Sequence, residues 1–223
     1  MSKLVADEKV LSYGDVLLLR SDLSILRGPL FLNDRLISFF FSHLSSSLPN
    51  PNPDRLLLVP PSISFWIANS PDPASLAAAV DPLRLHERDL VLFPVNDNPD
   101  VTVAEGGSHW SLLVYDSAAG ELIHHDSIAG ANRRAAMTLA GAVKVFVGDV
   151  KFVEAPTPQQ RNGCDCGLFA MAISRVVCDW YCKRGNGEGE RWFGDLQKAV
   201  DANKVGELRG ELLRLILSMV GRK

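Results

Sequence analysis

The segment Gln159-Gln160-Arg161-Asn162-Gly163-Cys164-Asp165-Cys166-Gly167 combines a possible nucleophile with side chains that could serve it. It runs into an apolar stretch, 167–177, that predicts a buried helix. A cysteine in the first turn of a helix lies near unpaired backbone amides and the positive end of the helix dipole, which favour the thiolate. Cys166 is therefore the candidate nucleophile, and the glycine and asparagine residues around it predict an exposed turn. Gln160 could donate an amide N–H to a developing oxyanion.

A histidine and a carboxylate that could complete such a site lie on one predicted hairpin. Segments 109–115 and 121–126 are rich in Val, Leu and Ile, and a short turn separates them. With the turn centred between its two alanines, Asp126 lies opposite Ser111 and diagonal to His109, at about 7–8 Å along the backbone. A turn of different length would shift this register. Cysteine, histidine and aspartate together form the arrangement that thiol enzymes use for acyl transfer.

The remaining histidines and cysteines have ordinary structural interpretations. His124 and His125 lack a flanking motif and are predicted to be surface or hydrogen-bonded core residues. Even His109, taken alone, is compatible with an edge histidine of a strand. Cys178 and Cys182 are predicted to be buried thiols. A zinc-stabilised domain is the alternative, but the spacing of the four cysteines differs from that of common zinc knuckles, so no metal is expected.

The elements that must position these residues indicate one α+β domain over residues 1–223, with a small antiparallel or mixed sheet packed against a central buried helix. The predicted strands are 89–95, 109–115, 121–126 and 143–153, and the predicted helices include 34–44, 167–177 and an amphipathic C-terminal helix. Asn33 is a possible cap of the first of these helices. In the last one, Arg209 and Arg214 fall outside the apolar stripe. Polar loops are expected at 45–54, 69–74, 96–107 and 184–190.

Composition excludes several classes of function. The 23 Lys and Arg residues are balanced by 26 Asp and Glu residues, so nucleic acid is not an expected partner. The apolar runs are far shorter than the roughly 18 residues of a membrane span, so no membrane partner is expected. Residues 1–10 contain no hydrophobic block ahead of a small-residue cleavage site, and the four cysteines are clustered, so we do not expect a secreted, disulfide-bonded protein. We expect a monomer in the cytoplasm, the nucleus or both.

The candidate residues occur in a recognisable order. The motifs His109-Trp110-Ser111-Leu112, Asp126-Ser127 and Gln160-x-Asn162-x-x-Asp165-Cys166-Gly167 resemble the ubiquitin-like-protein-specific (Ulp, sentrin-specific) cysteine proteases. Further motifs resemble the short deneddylase branch of this family more than its SUMO proteases: Leu11-Ser12-Tyr13, Ser21-Asp22, Leu32-Asn33-Asp34, Asn96-Asp97-Asn98 and the segment 106–110. The resemblance implies a papain-like α+β fold and hydrolysis after the C-terminal Gly-Gly of a ubiquitin-like modifier of the Nedd (Rub) type. Precursor processing and deconjugation both fit, and no cofactor is implied.

The resemblance also implies catalytic roles. Cys166 would be the nucleophile, His109 the general base and acid, Asp126 the carboxylate that orients the histidine, and Gln160 the oxyanion donor. Cys164 is not expected in such a motif. Upon oxidation it could form a strained disulfide with Cys166.

The substrate-binding residues implied by the resemblance are Phe31, Asp34, Asn96, Asp97 and Trp110. Phe31 and Trp110 would wall a narrow tunnel that only a glycine tail can enter. Phe31 stands where tryptophan is expected, which removes an indole N–H and some area. The other three would contact the modifier, and the loop 96–107 is predicted to fold over it.

Three alternatives remain at this stage. A SUMO protease would use the same catalytic residues on a different modifier surface. An acetyltransferase of the same fold would need a coenzyme A site, which nothing in the sequence suggests. A catalytically inactive module would bind a ubiquitin-like protein without cleaving it, and the complete catalytic set argues against this interpretation.

Overall fold

The computed structural model describes residues 8–49, 54–103, 106–183 and 191–221, so the predicted loop 184–190 lies outside it. The strands are β1 (Lys9–Tyr13), β2 (Val16–Leu19), β3 (Leu56–Leu58), β4 (Leu90–Asn96), β5 (Trp110–Asp116), β6 (Glu121–His125) and β7 (Lys151–Glu154). The helices are α1 (Arg20–Arg27), α2 (Asp34–Ser47), α3 (Pro61–Ala68), α4 (Pro73–Val80), α5 (Arg133–Val147), α6 (Cys166–Lys183), α7 (Phe193–Ala199) and α8 (Ala202–Val220).

A mixed sheet with the strand order β3-β4-β5-β6-β7 positions the candidate hairpin. The two inner pairs are antiparallel and the two outer pairs are parallel. The predicted β5–β6 register is confirmed, because Leu112 pairs with His125 and Asp116 pairs with Glu121. One further step in this register sets Asp126 opposite Ser111. Gly120, with φ of 63°, closes the turn in a conformation that suits glycine.

The two faces of the sheet contribute to two separate cores. Leu112 and Val114 of β5 pack with α2, α6 and α8 on one face. Leu113 and Tyr115 pack with α3, α4 and α5 on the other face. Most residues of α6 from Cys166 to Cys178 are buried, so the predicted central helix is confirmed. In the described part of the chain, no helix has the length and apolarity of a membrane span.

The predicted strand 143–153 is wrong in its first half. Residues 143–147 form the end of α5, and β7 begins only at Lys151. The buried residues of α5 recur every three or four positions: Ala136, Leu139, Ala140 and Val143. This helical periodicity outweighs the strand tendency of the valines. Gly148, with φ of 85°, follows as the C-cap and ends the helix.

The predicted helices at the two ends of the chain form, with small changes. Asn33 caps α2 by accepting the Leu36 N–H at 3.1 Å, as predicted. The helix continues to Ser47, so the first residues of the predicted loop 45–54 are helical. Likewise α4 begins at Pro73, inside the predicted loop 69–74. The apolar stripe of α8 buries Leu208, Leu212 and Ile216 in the first core.

Candidate active site

His109 and Asp126 meet at the open end of the β5–β6 hairpin. Nε2 of His109 lies 2.6 Å from Oδ1 of Asp126, and both side chains are buried. This contact follows from the hairpin register, which puts the two residues diagonally on one face. Because Nε2 of His109 is hydrogen-bonded to the Asp126 carboxylate, Nδ1 of the same ring is available to a third group.

Backbone N–H groups hold the Asp126 carboxylate in place. Ile128 N–H donates to Oδ1 at 3.0 Å, and Asn132 N–H donates to Oδ2 at 2.8 Å. Burial alone would raise the pKa of Asp126, but the hydrogen bonds from His109, Asn132 and Ile128 outweigh it and keep the pKa below its ordinary value. The group is therefore a carboxylate at neutral pH.

Asn132 is a functional candidate that the sequence analysis missed. Its side-chain N–H groups lie within hydrogen-bond distance of Ser111 Oγ at 2.9 Å and the Val95 carbonyl at 3.1 Å. The His109 carbonyl is a longer contact at 3.4 Å. Asn132 therefore ties the ends of β4 and β5 to the loop that carries Asp126. Asn132 immediately precedes α5, yet its side chain makes no capping bond to that helix.

Cys166 is the first residue of α6 and is fully buried, so the prediction that the preceding turn exposes the thiol is wrong, although residues 161–163 are themselves exposed. The segment before α2 packs closely against the beginning of α6. A Cβ at Gly167 would lie 3.0 Å from Cβ of Leu32. The Leu32 carbonyl in turn accepts the indole N–H of Trp110 at 2.8 Å. Local turn residues therefore do not expose the thiol, because distant parts of the chain pack around it.

The His109 imidazole interacts electrostatically with the Cys166 side chain as well as with Asp126. Burial alone would lower the pKa of His109, but the hydrogen bond to Asp126 and the interactions with Cys166 and with the Asp126 charge raise it to about 9. His109 is therefore an imidazolium at neutral pH. A cation beside a cysteine favours the ionised, nucleophilic form of the sulfur. The structure thus brings together Cys166, His109 and Asp126.

Gln160 is held in place by hydrogen bonds with Ser127, which follows Asp126, and with Asn162. Its backbone N–H donates to the Ser127 carbonyl at 2.9 Å, and its Oε1 accepts the Ser127 hydroxyl at 2.7 Å. Nε2 donates to the Asn162 carbonyl at 2.6 Å. A primary amide carries two N–H groups, and the contact with Asn162 uses one of them. The role of Gln160 as oxyanion donor stays a prediction.

Three of the predicted substrate-binding residues lie around the beginning of α6 and the beginning of α2. Trp110 is buried, whereas Phe31 is 49% exposed and precedes Leu32. Asp34 is exposed in the first turn of α2. Their contacts with a modifier stay predictions.

Asn96 and Asp97 make contacts within the chain. Asp97 accepts the backbone N–H groups of Ser108 at 2.6 Å and His109 at 3.0 Å, and also the Ser108 hydroxyl at 2.7 Å. Although burial opposes it, these bonds lower the pKa of Asp97 below its ordinary value. Asn96 accepts the Asn98 N–H at 2.9 Å. Asp97 therefore fixes the backbone that leads into His109. Contact of either residue with a modifier stays a prediction.

His124 and His125 are hydrogen-bonded core residues, as predicted. The His124 ring lies 2.9 Å from Ser111 Oγ and 2.9 Å from Glu154 Oε2. His125 Nε2 accepts the Trp192 indole N–H at 3.0 Å, and burial lowers the pKa of His125 to about 3. Cys178 packs in the first core, where burial raises the pKa of its thiol. Cys182 is only partly buried, and Cys164 is a partly exposed free thiol.

A cysteine at the start of a buried helix, facing a His–Asp pair on an adjoining sheet, defines a cysteine peptidase. The chain belongs to the Ulp1 protease family, whose C-terminal catalytic domain matches residues 75–179. It is 48% identical to NEDD8-specific protease 1 of Arabidopsis thaliana, over 96% of this chain and 95% of that protein. It is 35% identical to human sentrin-specific protease 8, over 77% of this chain and 82% of that protein.

The fold agrees with the family. The yeast Ulp1 protease domain, solved in complex with SMT3, superimposes with a TM-score of 0.69 at 17% sequence identity. The match covers 95% of this chain and 88% of the yeast domain. The predicted fold class and the predicted peptidase family are both confirmed.

Proposed function

We propose that this enzyme hydrolyses the bond that follows the C-terminal Gly-Gly of a ubiquitin-like modifier of the Nedd type. The observation that carries the proposal is the 48% identity, over nearly the whole chain, to a protein named as a NEDD8-specific protease. The cluster of Cys166, His109 and Asp126 supports hydrolysis rather than binding alone. Both a modifier precursor and a modifier joined to another protein are substrates of this chemistry.

The proposed reaction proceeds through a thioester. The Cys166 thiolate attacks the carbonyl carbon of the terminal glycine while His109 retains the proton from the thiol. His109 then donates this proton to the leaving amine, which departs and leaves the modifier bound to the sulfur. His109 next removes a proton from water, whose oxygen attacks the thioester carbonyl and frees the modifier. Asp126 stabilises the imidazolium and holds the ring in orientation throughout.

Hydrogen-bond donors at the start of α6 suit the tetrahedral intermediate. The first N–H groups of a helix lack intrahelical partners. Together with the second N–H of the Gln160 amide, they form a set of donors around the carbonyl oxygen. Loss of one such donor typically costs about 3–4 kcal/mol of transition-state stabilisation.

Close packing beside Cys166 would explain why the enzyme accepts a substrate tail that ends in two glycines. Trp110 and Leu32 are joined by a hydrogen bond, and Leu32 packs on Gly167. A chain without side chains passes most easily between such walls, of which Phe31 would be the outer one. Asp34 and the loop 96–107 are proposed to contact the folded part of the modifier. We further propose that the enzyme acts as a monomer in the cytoplasm, the nucleus or both.

Electrophilic probes test the proposal directly. Ubiquitin, SUMO and a Nedd-type modifier, each with a C-terminal vinyl sulfone, are incubated with the native enzyme, with Cys166→Ala and with the matched control Cys164→Ser. The Nedd-type probe is expected to label the native enzyme and Cys164→Ser fastest, and to leave Cys166→Ala unlabelled. Mass spectrometry of the adduct identifies the labelled residue.

Three outcomes would overturn parts of the proposal. Faster labelling by the SUMO probe would replace the Nedd-type modifier with SUMO as the substrate. Labelling of Cys166→Ala at the native rate would remove Cys166 as the nucleophile. Binding of the modifier without labelling of the native enzyme would indicate an inactive binding module.

A further inference from the structure

Arg209 of α8 faces the interior, although its sequence position predicts the polar side of the helix. Its Nη2 donates to Oδ1 of Asp165 at 2.8 Å, and only 12% of its side chain and 11% of that of Asp165 are exposed. Its Nη1 donates to the Ile25 carbonyl at 3.0 Å. A largely buried cation on the C-terminal helix is therefore paired with the residue that immediately precedes Cys166.

The Asp165 carboxylate connects Arg209 to the loop that carries the catalytic candidates. Its second oxygen accepts the Asn162 side-chain N–H at 2.7 Å. Asn162 Oδ1 accepts the backbone N–H groups of Cys164 at 3.1 Å and Asp165 at 3.0 Å. The Asn162 carbonyl accepts the Gln160 amide N–H at 2.6 Å. A continuous series of hydrogen bonds thus runs from Arg209 to Gln160.

The Ile25 carbonyl connects Arg209 to the other side of the thiol. Ile25 lies near the end of α1, and the chain then continues through residues 28–33 to α2. Within that segment, Leu32 packs on Gly167 and accepts the Trp110 indole N–H. One guanidinium group therefore contacts both the loop that precedes Cys166 and the helix that leads to the segment packed against it.

A planar guanidinium is well suited to this bridging position. Its N–H groups point in fixed directions and can hold a carboxylate and a carbonyl at the same time, whereas an ammonium group has no such fixed fork. If the cation is removed, Asp165 keeps its negative charge with only one of the two donors described above. An unpaired carboxylate in a largely buried position is unfavourable, so the loop is expected to rearrange.

We propose that Arg209 is a positioning residue for catalysis, which holds Cys166 and Gln160 in register through Asp165. It acts without touching the substrate. The inference rests on the proposed roles of Cys166 and Gln160. It assigns to α8 a part in the reaction beyond its packing against the core.

The test compares full-length variants with a C-terminal aminocoumarin amide of the modifier that labels Cys166 fastest. The variants are Arg209→Met, Arg209→Lys and Asp165→Asn, and the matched control is Arg214→Met, an exposed arginine of the same helix. The electrophilic probe titrates the active sites, so unfolded protein does not enter the rate. Arg209→Met is expected to lower kcat about tenfold or more with KM within about twofold, because small displacements of reacting groups have large effects on rate.

The other variants separate positioning from stability. The kcat of Arg209→Lys is expected to lie between those of Arg209→Met and the native enzyme. A lysine retains the positive charge but cannot contact Asp165 and the Ile25 carbonyl at the same time. The double variant Arg209→Met/Asp165→Asn is expected to be no slower than the slower single variant, because both changes break one interaction.

The proposal is overturned if kcat of Arg209→Met, per active site, equals that of Arg214→Met while only its melting temperature falls. Additive effects of the two single variants would overturn it as well. A failure of the proposed catalytic role of Cys166 would be recognised separately. In that case Cys166→Ala would still hydrolyse the substrate, whatever the kinetics of the Arg209 variants.

Discussion

Two buried aspartates of one hairpin, Asp126 and Asp116, have different hydrogen-bond partners and therefore different roles. Asp126 accepts hydrogen bonds from His109 and from the backbone N–H groups of Ile128 and Asn132. Asp116, at the other end of β5, accepts the Ala119 N–H at 3.2 Å and stabilises the turn. Both carboxylates are nearly inaccessible to solvent, but only Asp126 contacts the imidazole that faces Cys166. The same substitution at the two positions should therefore have different kinetic effects.

Asp126→Asn is expected to lower kcat by roughly 10³-fold or more, because the imidazolium loses its negative partner and the ring loses its orientation. KM should change much less, since Asp126 is buried and contacts His109 rather than the surface. Asp116→Asn is the control and should keep kcat near the native value. Steady-state rates with the aminocoumarin substrate measure both. If Asp126→Asn changed KM and left kcat intact, Asp126 would not have the role of orienting carboxylate.

At the scale of elements, a buried carboxylate joins α1, α2 and the segment between them. Asp22 accepts the Asn33 side-chain N–H at 2.6 Å, the Arg35 guanidinium at 2.9 Å and the Leu19 N–H at 2.7 Å. Asn33 is also the cap of α2. The segment 28–33, which carries Phe31 and Leu32, therefore starts and ends on elements tied to one side chain.

Asp22→Asn should destabilise the fold and loosen this segment. We expect a loss of about 2 kcal/mol in the free energy of unfolding, less than for a fully buried ion pair because the Arg35 side chain is 31% exposed. KM for the modifier should rise, because Phe31 and Leu32 lose their anchor. Urea denaturation and steady-state kinetics measure the two effects.

The control for this prediction is Glu8→Gln, which removes an exposed pair with Arg20 and should leave the unfolding midpoint and KM near native. An equal effect of the two substitutions would contradict an anchoring role for Asp22.

The elements that could be predicted are those fixed by local pattern. The β5–β6 register follows from two apolar segments joined by a short turn, so the contact of His109 with Asp126 is readable from the sequence. The burial of Cys166 is not, because it depends on a segment that packs on α6 from far away in the chain. The contacts of Arg209 depend equally on tertiary packing. In α5, helical periodicity and strand propensity conflict, and the periodicity decides.

At the scale of the whole molecule, buried histidines couple the fold to pH. Burial lowers the pKa of His124, and it lowers the pKa of His125 to about 3. The unfolded chain binds protons at these positions below about pH 6.5, and the folded chain does not, so stability falls as pH decreases below that value. His109 behaves in the opposite way. With a pKa of about 9, it contributes stability below about pH 6.5 that is lost as pH rises through 9.

His125→Gln should reduce the acid sensitivity of the fold. A glutamine can accept the Trp192 N–H and does not titrate, so stability should decline less between about pH 6.5 and pH 5 than in the native enzyme. In that range the folded chain keeps His109 protonated, and the unfolded chain is half protonated there at about pH 6.5 and almost fully at about pH 5, so His109 contributes only a small change. Urea midpoints at the two pH values measure the difference. Identical pH dependence in the native enzyme and the variant would show that His125 does not set it.

The hydrogen bond between Trp110 and Leu32 joins residues 78 positions apart in the chain. This bond holds the backbone of Leu32 in place beside the nucleophile. A conjugate has a folded protein on each side of the bond to be cut. Neither protein is narrow enough to pass lengthwise between Trp110 and the segment that contains Phe31 and Leu32. Such a substrate must be laid in from the side, past the half-exposed ring of Phe31. If the proposed function holds, we therefore expect the capture rate of bulky conjugates to depend on a lateral opening of this segment as well as on diffusion.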